Sequence, residues 1–238
     1  MKVKSSTEQL IADNLNYIRD EMAQACLQAG RPIDSVQLLA VTKTVSADCI
    51  NAAIQLGVRQ IGENRVQEFL QKKDALHLDC VQKHLIGHLQ TNKVRQIVGQ
   101  VDMIQSVDSL RLAKVISDRS DQLGLITPVL VEVNIGGEAA KSGVDPGQLE
   151  SLLEEISILR GIHVQGLMTV PPILHEEREK REIFSKMYQL FVDIKGKNID
   201  NILMRELSMG MSGDYREAIL EGATIVRIGS AIFGERHY

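Results

Sequence analysis

The chain has no tryptophan, and aromatic side chains make up 3% of its 238 residues. That scarcity leaves few stacking platforms for single-stranded nucleic acid. An excess of one charge is also lacking. Against 27 Lys and Arg stand 31 Asp and Glu, a formal net charge of −4, which gives no pull toward nucleic acid or an anionic membrane surface. Cysteines number three, Cys26, Cys49 and Cys80, with no CxxC pair and no even set. The pattern fits a reducing cytoplasm better than a disulfide framework. Cys26 and Cys49 fall on helix-like patterns and read as small core residues. No window approaches about 18 continuous apolar residues, and the opening MKVKSSTEQL has no apolar stretch, so neither a membrane span nor a signal peptide is expected. There is no linker rich in Pro, Gly or Ser, no low-complexity tract and no shift in composition. The chain is therefore read as one domain over residues 1–238.

What is present is ordinary in amount and regular in order. Hydrophobic residues make up 44% and charged residues 24%. Residues 5–29 carry Leu10, Ile11, Leu15, Ile18 and Met22 at helical spacing, with Ser6 or Thr7 as cap and Gly30 and Pro32 as stop. This helix (within 1–30) is expected to pack on the outside of the domain. Beyond it, short apolar runs alternate with helical patterns. Strands are expected at Leu38–Thr42, Gln60–Gly62, His84–Gly87, Met103–Gln105, Val129–Asn134, His163–Leu167, Leu203–Leu207 and Thr224–Ile228. Helices are expected at 46–56, 64–75, 90–98, 108–122, 146–159, 177–195 and 213–220, with a short turn near 230–233. Unbroken runs such as LLAV and VLVEV suit parallel strands buried on both faces. Eight such units predict an α/β fold, a closed (β/α)8 TIM barrel with an extra N-terminal helix. The alternative, an open doubly wound sheet, would favour a GxGxxG after its first strand, and none is there. The charged stretch HEEREKRE (His175–Glu182) reads as a solvated helix start.

In a barrel, functional groups gather where strands end. Lys43 follows the apolar LLAV with only Thr42 between. Projected into the mouth against apolar walls, its amine would be desolvated and suited to forming a Schiff base. A solvated lysine opening a loop is the other reading of the same position. SMGMSG (Ser208–Gly213) after the seventh strand and RIGS (Arg227–Ser230) after the eighth bring glycines, serines and helix starts to the place where barrels bind phosphate. Two ligand-free glycine turns are the alternative. Arg227 lies two residues before Gly229, on the same side of the strand. It could meet the ring end of a ligand held at Gly229 and Ser230, or pair with Glu206 or Glu132. His84 and His88 are four apart, but Gly87 and a strand intervene and no third ligand stands out, so no metal is expected. Glu132 and Asn134 share a face, yet no acid/base pair of carboxylates is evident.

Several motifs occur in order: AVTK at 40–43, GENRVQE at 62–68, HLIGHLQTNK at 84–93, VNIGGEAAKSGV at 133–144, GLMTV at 166–170, SMGMSGDYREAI at 208–219 and VRIGSAIFG at 226–234. Together they resemble the pyridoxal phosphate homeostasis proteins over nearly the whole barrel. The resemblance implies a fold-type III barrel for pyridoxal 5′-phosphate (PLP), like the barrel domain of alanine racemase. It implies Lys43 as the Schiff-base lysine. Ser208, Gly229 and Ser230 would hold the phosphate, with Met209, Gly210, Met211 and Ser212 shaping the loop. Arg227 would face the pyridine nitrogen, and Asn64, His88 and Met168 would surround the ring. Thr42 stands where serine is common in the family, and Gly213 where alanine is common.

A permanently charged Arg227 disfavours a protonated pyridine nitrogen and so weakens the ring as an electron sink. Racemisation further needs a second acid/base on the opposite face of the substrate. Racemases take it, a tyrosine, from an added β-domain, for which the sequence after the last strand leaves no room. Tyr17, Tyr188, Tyr215 and Tyr238 offer no evident replacement. The expectation is thus a PLP-binding protein of vitamin B6 homeostasis, with no catalytic residue assigned, holding PLP and passing it to apo-enzymes. A racemase-like amino-acid enzyme is the alternative, and a phosphate-binding barrel without PLP a third. The chain is read as a monomer without nucleic-acid or membrane partners.

Overall fold

Eight short strands succeed one another at the expected places: β1 Gln37–Val41, β2 Gln60–Glu63, β3 Gln82–Leu85, β4 Met103–Val107, β5 Thr127–Glu132, β6 Ile162–Met168, β7 Ile202–Ser208 and β8 Ile225–Ile228. In this computed structural model, which describes residues 6–138 and 142–234, they form a closed barrel in sequence order. Every adjacent pair is parallel, and β8 returns to pair with β1. The (β/α)8 barrel read from the sequence is the fold observed. Residues 1–5, the 139–141 stretch of the VNIGGEAAKSGV motif and 235–238, including Tyr238, lie outside the described residues.

β4 and β8 are buried at every position, including the polar Gln105, Ser106 and Arg227, as strands covered by helices on one face and the barrel interior on the other require. Helices α1 Ser6–Gln28, α2 Ala47–Gln55, α3 Val66–Lys72, α4 Val94–Ile97, α5 Leu110–Leu123, α6 Leu149–Ser157, α7 Glu177–Gly196, α8 Tyr215–Leu220 and α9 Ser230–Phe233 intervene. Ser46 caps α2 and Ser109 caps α5, each hydroxyl accepting the N–H three residues on. α1 buries Ile11, Ala12, Leu15, Ile18, Met22, Ala25 and Cys26 against α2, α8 and α9. Leu10, expected on that stripe, is exposed, because the stripe turns toward Ala12 instead. Arg31 fastens the helix exit by donating to the carbonyls of Ile219 (3.0 Å) and Ala223 (2.8 Å). Cys26 is buried, Cys49 half-buried and Cys80 exposed, all free.

Boundaries differ from expectation where polar residues start strands or loops cut helices short. β3 begins at Gln82, two residues early, and ends before Gly87, whose added Cβ would lie 2.3 Å from the Asn64 carbonyl oxygen. The helix expected over 90–98 is a 3-10 turn at Thr91–Lys93 followed by the single-turn α4.

Strand alternation sorts side chains into two layers. The large apolar core fills the space between strands and helices. Two small apolar clusters, one of Leu39, Val41 and Ile225 with Ile86, the other of Met103, Leu130 and Met168, belong to the alternate, inward positions. The same parity sends Lys43 inward after Leu39 and Val41, and Arg227 inward after Ile225.

Candidate functional site

Lys43 is half-buried in a tight turn after β1, and the residues on either side of it are held from outside the barrel. Thr42 is fully buried and gives its hydroxyl to Glu63 Oε1 at 2.5 Å. The Lys72 ammonium, on α3, donates to the Thr42 carbonyl at 2.8 Å, lies 2.6 Å from Glu63 Oε1 and pairs with Glu68 at 3.0 Å. Glu68 in turn accepts the backbone N–H of Thr44, a residue at φ +62°. Burial pushes the Glu63 carboxyl above its usual range, with Lys72 and Thr42 opposing that shift. At Glu68 burial acts in the same upward sense, but the Thr44 N–H and the Lys72 ammonium outweigh it and the pKa is lowered.

Arg227 is 3% exposed and held from inside the barrel. It donates through Nη1 to Ser208 Oγ and through Nη2 to the Thr169 carbonyl, both at 2.7 Å. Burial lowers its pKa to about 10, offset in part by Asp214 and Glu132, so the guanidinium is still cationic at neutral pH. No ion pair joins it to Glu132 or Glu206 among the described residues. Glu206 instead accepts from Thr224 (2.6 Å) and Gln37 (3.3 Å). Glu132 is buried, and desolvation, reinforced by Asp108, raises its pKa to about 7.

The loop from Ser208 to Gly213 is shaped by backbone demands. Gly210 sits at φ +90°, where an added Cβ would lie 2.5 Å from the Ala218 Cβ. Asp214 Oδ1 accepts the Met211 N–H at 2.6 Å, and Ser212 Oγ accepts the N–H groups of Gly229 (3.2 Å) and Ala231 (3.4 Å). Both loops thereby meet at one hydroxyl.

An open cavity of about 290 Å³ joins these parts. Its walls bring together Lys43, Asn64, Met211, Ser212, Arg227, Gly229 and Ser230, and Val41, Ile86 and Val170 supply its apolar lining. The remaining expected residues lie off those walls. Ser208 is fully buried with its hydroxyl committed to Arg227 and Gln105. Met168 packs with Met103 and Leu130, and Met209 belongs to the helix-side core. Gly210 takes no part in the walls, while its carbonyl accepts the Arg227 N–H at 3.0 Å. His88 is exposed, 3.3 Å from Asp108 Oδ2 and 3.4 Å from Ser142 Oγ. Asn64 Oδ1 is buried in the wall region with no hydrogen-bond partner, an acceptor open to a donor.

The family model for the alanine racemase N-terminal domain matches residues 11–237. A pyridoxal phosphate homeostasis protein of Aquifex aeolicus is 42% identical over 226 residues, covering 95% of this chain and 98% of that one. The chain belongs to the pyridoxal phosphate homeostasis protein family. A solved relative, PipY of Synechococcus elongatus with PLP bound, is 34% identical with a TM-score of 0.81, covering 94% of this chain and all of that one. Alanine racemase of Corynebacterium glutamicum shares the fold at 15% identity and TM-score 0.71 over 97% of this chain and 62% of its own.

For a member of this homeostasis family, sequence reasoning found the polar walls but missed the apolar lining of Val41, Ile86 and Val170 and the supports behind the walls. Glu63 and Glu68 lie inside the GENRVQE motif, and Lys72 follows Glu68 at helical i, i+4 spacing, a visible signal for a pair. Gln105 was signalled only by being polar in a strand with no exposed face, where a partner is required.

Proposed function

We propose that this chain binds PLP in the mouth of its barrel, tethers it to Lys43 as a Schiff base, and buffers it for transfer to apo-enzymes. The carrying observation is one cavity whose walls carry an amine, a cationic guanidinium, an unsatisfied amide oxygen, a hydroxyl and two glycine-containing loops. Bound there, PLP supplies an aldehyde for an amine and a phosphate for an anion site. The residues present fit both. Lys43 is the tethering amine, and the clamp around Thr42 and Thr44 fixes its backbone. Ser212, Gly229 and Ser230 hold the phosphate, with Met211 beside them. Ser212 already satisfies two N–H groups with one oxygen, the bonding that an anionic oxygen makes. Asn64 and Arg227 face the ring. Ser208 acts through Arg227, Met209 and Gly210 shape the loop, Met168 lies beneath the pocket, and His88 stands at the rim.

The names of the relatives support the homeostasis role, and the cationic Arg227 supports restraint in catalysis, since it opposes protonation of a ring nitrogen. The role is that of a monomer in the cytoplasm. The test is a spectral titration of the purified chain with PLP. An absorbance band of a lysine imine is expected in the wild type and lost in Lys43→Ala. An equally stable band in Lys43→Ala would overturn the assignment. Incubation with single-enantiomer amino acids should leave optical purity intact; its rapid loss would favour the racemase-like alternative.

A further inference from the structure

Inside the barrel the hydrogen bonds of Arg227 do not stop at Ser208. The Ser208 hydroxyl lies 2.7 Å from Gln105 Oε1, and Gln105 Nε2 lies 2.8 Å from His84 Nδ1. Four strands are thus joined in one buried path, β8 to β7 to β4 to β3. Its direction is set at one end. A guanidinium only donates, so Ser208 Oγ must accept from Arg227. The serine hydrogen then goes to the Gln105 carbonyl oxygen, and the Gln105 amide must donate to His84 Nδ1. With the amide reversed, Ser208 would accept twice and its own hydrogen would face another donor, a buried donor without an acceptor. We propose that Gln105 and His84 are positioning residues, the far end of a one-way chain that fixes the Arg227 guanidinium at the barrel mouth for its ligand. The inference predicts one tautomer of His84, with Nδ1 bare and the proton on Nε2. Burial, which lowers the His84 pKa to about 4, keeps the ring neutral in agreement with this.

For the ligand the inference rests on the PLP reading above; for the chain itself it does not. The experiment therefore has two arms on the full chain. In the first, nitrogen NMR of the ligand-free protein labelled at histidine reads the His84 tautomer. A bare Nδ1 is expected, and a protonated Nδ1 overturns the direction of the chain. In the second, affinities are measured for PLP and for its 1-deaza analogue, whose ring carries C–H in place of nitrogen. The wild type should prefer PLP by about tenfold, the worth of a hydrogen bond to a charged group, and Gln105→Leu should bring the ratio near unity. An unchanged ratio in a folded Gln105→Leu chain overturns the inference. Gln105→Glu keeps an acceptor for Ser208 but has no donor for His84. It should retain the preference and move the His84 proton to Nδ1, and a bare Nδ1 in that variant also overturns it. Failure of the wild type to bind either probe would sink the PLP reading, while the nitrogen signals would still decide the chain.

Discussion

Lys43 and Arg227 are the two basic side chains among the described residues that line the cavity, yet they are held by opposite means. Behind Lys43, outside the barrel wall, stands an ion cluster of Glu63, Lys72 and Glu68 that grips the backbone on either side of the lysine. Behind Arg227, inside the barrel, the supports are neutral: a serine, a glutamine and a histidine. The difference matches the task of each cation. The amine proposed to form and release a covalent bond is placed through its turn, whose two flanks the cluster fixes. A guanidinium that orients a ring needs a fixed head, so the side chain itself is fixed. The two supports should also fail differently, because a charge cluster fails by leaving a buried charge and a neutral chain by leaving an unmade hydrogen bond.

The largest effect is expected from Lys72→Met, which strands the buried Glu63 carboxylate. A loss of about 4 kcal/mol in urea unfolding is expected, recovered in large part by Glu63→Gln in the same chain. Loss below about 1 kcal/mol would show that the cluster does not hold the turn. Next comes acid sensitivity from the inner support. His84 has its folded pKa depressed from 6.5 to about 4, so between those values the unfolded chain takes up a proton that the folded chain does not. Stability should therefore fall as pH drops through that window, by up to about 3 kcal/mol, and His84→Gln should flatten the decline measured by thermal unfolding. A parallel decline in both proteins would place the titration elsewhere. The smallest effects belong to Thr42. Thr42→Val removes the hydroxyl that meets Glu63 and should cost about 2 kcal/mol, whereas Thr42→Ser keeps it and should cost about 1 kcal/mol. A cost near zero for Thr42→Val would mean that the hydroxyl contributes nothing to the clamp.

The barrel was legible because eight apolar runs alternate with helical patterns, a local signal that neighbouring residues carry. Lys43, Arg227 and the two glycine loops were legible by the rule that strand ends face the mouth, and Asn64 through the GENRVQE motif of the family resemblance. Ser208 was expected at the phosphate, but its strand parity turns the hydroxyl toward the interior, where Gln105, 103 residues away, accepts it. Such a pairing exists only after closure of the barrel brings β4 and β7 within reach. His88 was expected near the ring, but the chain has already left the strand at Leu85, and the side chain turns along the loop to Asp108. Of the outer clamp only Glu68 and Lys72 were readable, at helical spacing. Glu63 joins them because α3 folds back over its own strand.

The most direct measurement is borohydride reduction of the PLP-loaded protein followed by peptide mass mapping. Lys72 is a second amine bonded to the very turn that carries Lys43, which makes the site of labelling discriminating. A single pyridoxyl group on Lys43 is the expected result. A label on Lys72, or one scattered over surface lysines, would contradict the assignment of the cavity and of the clamp around it.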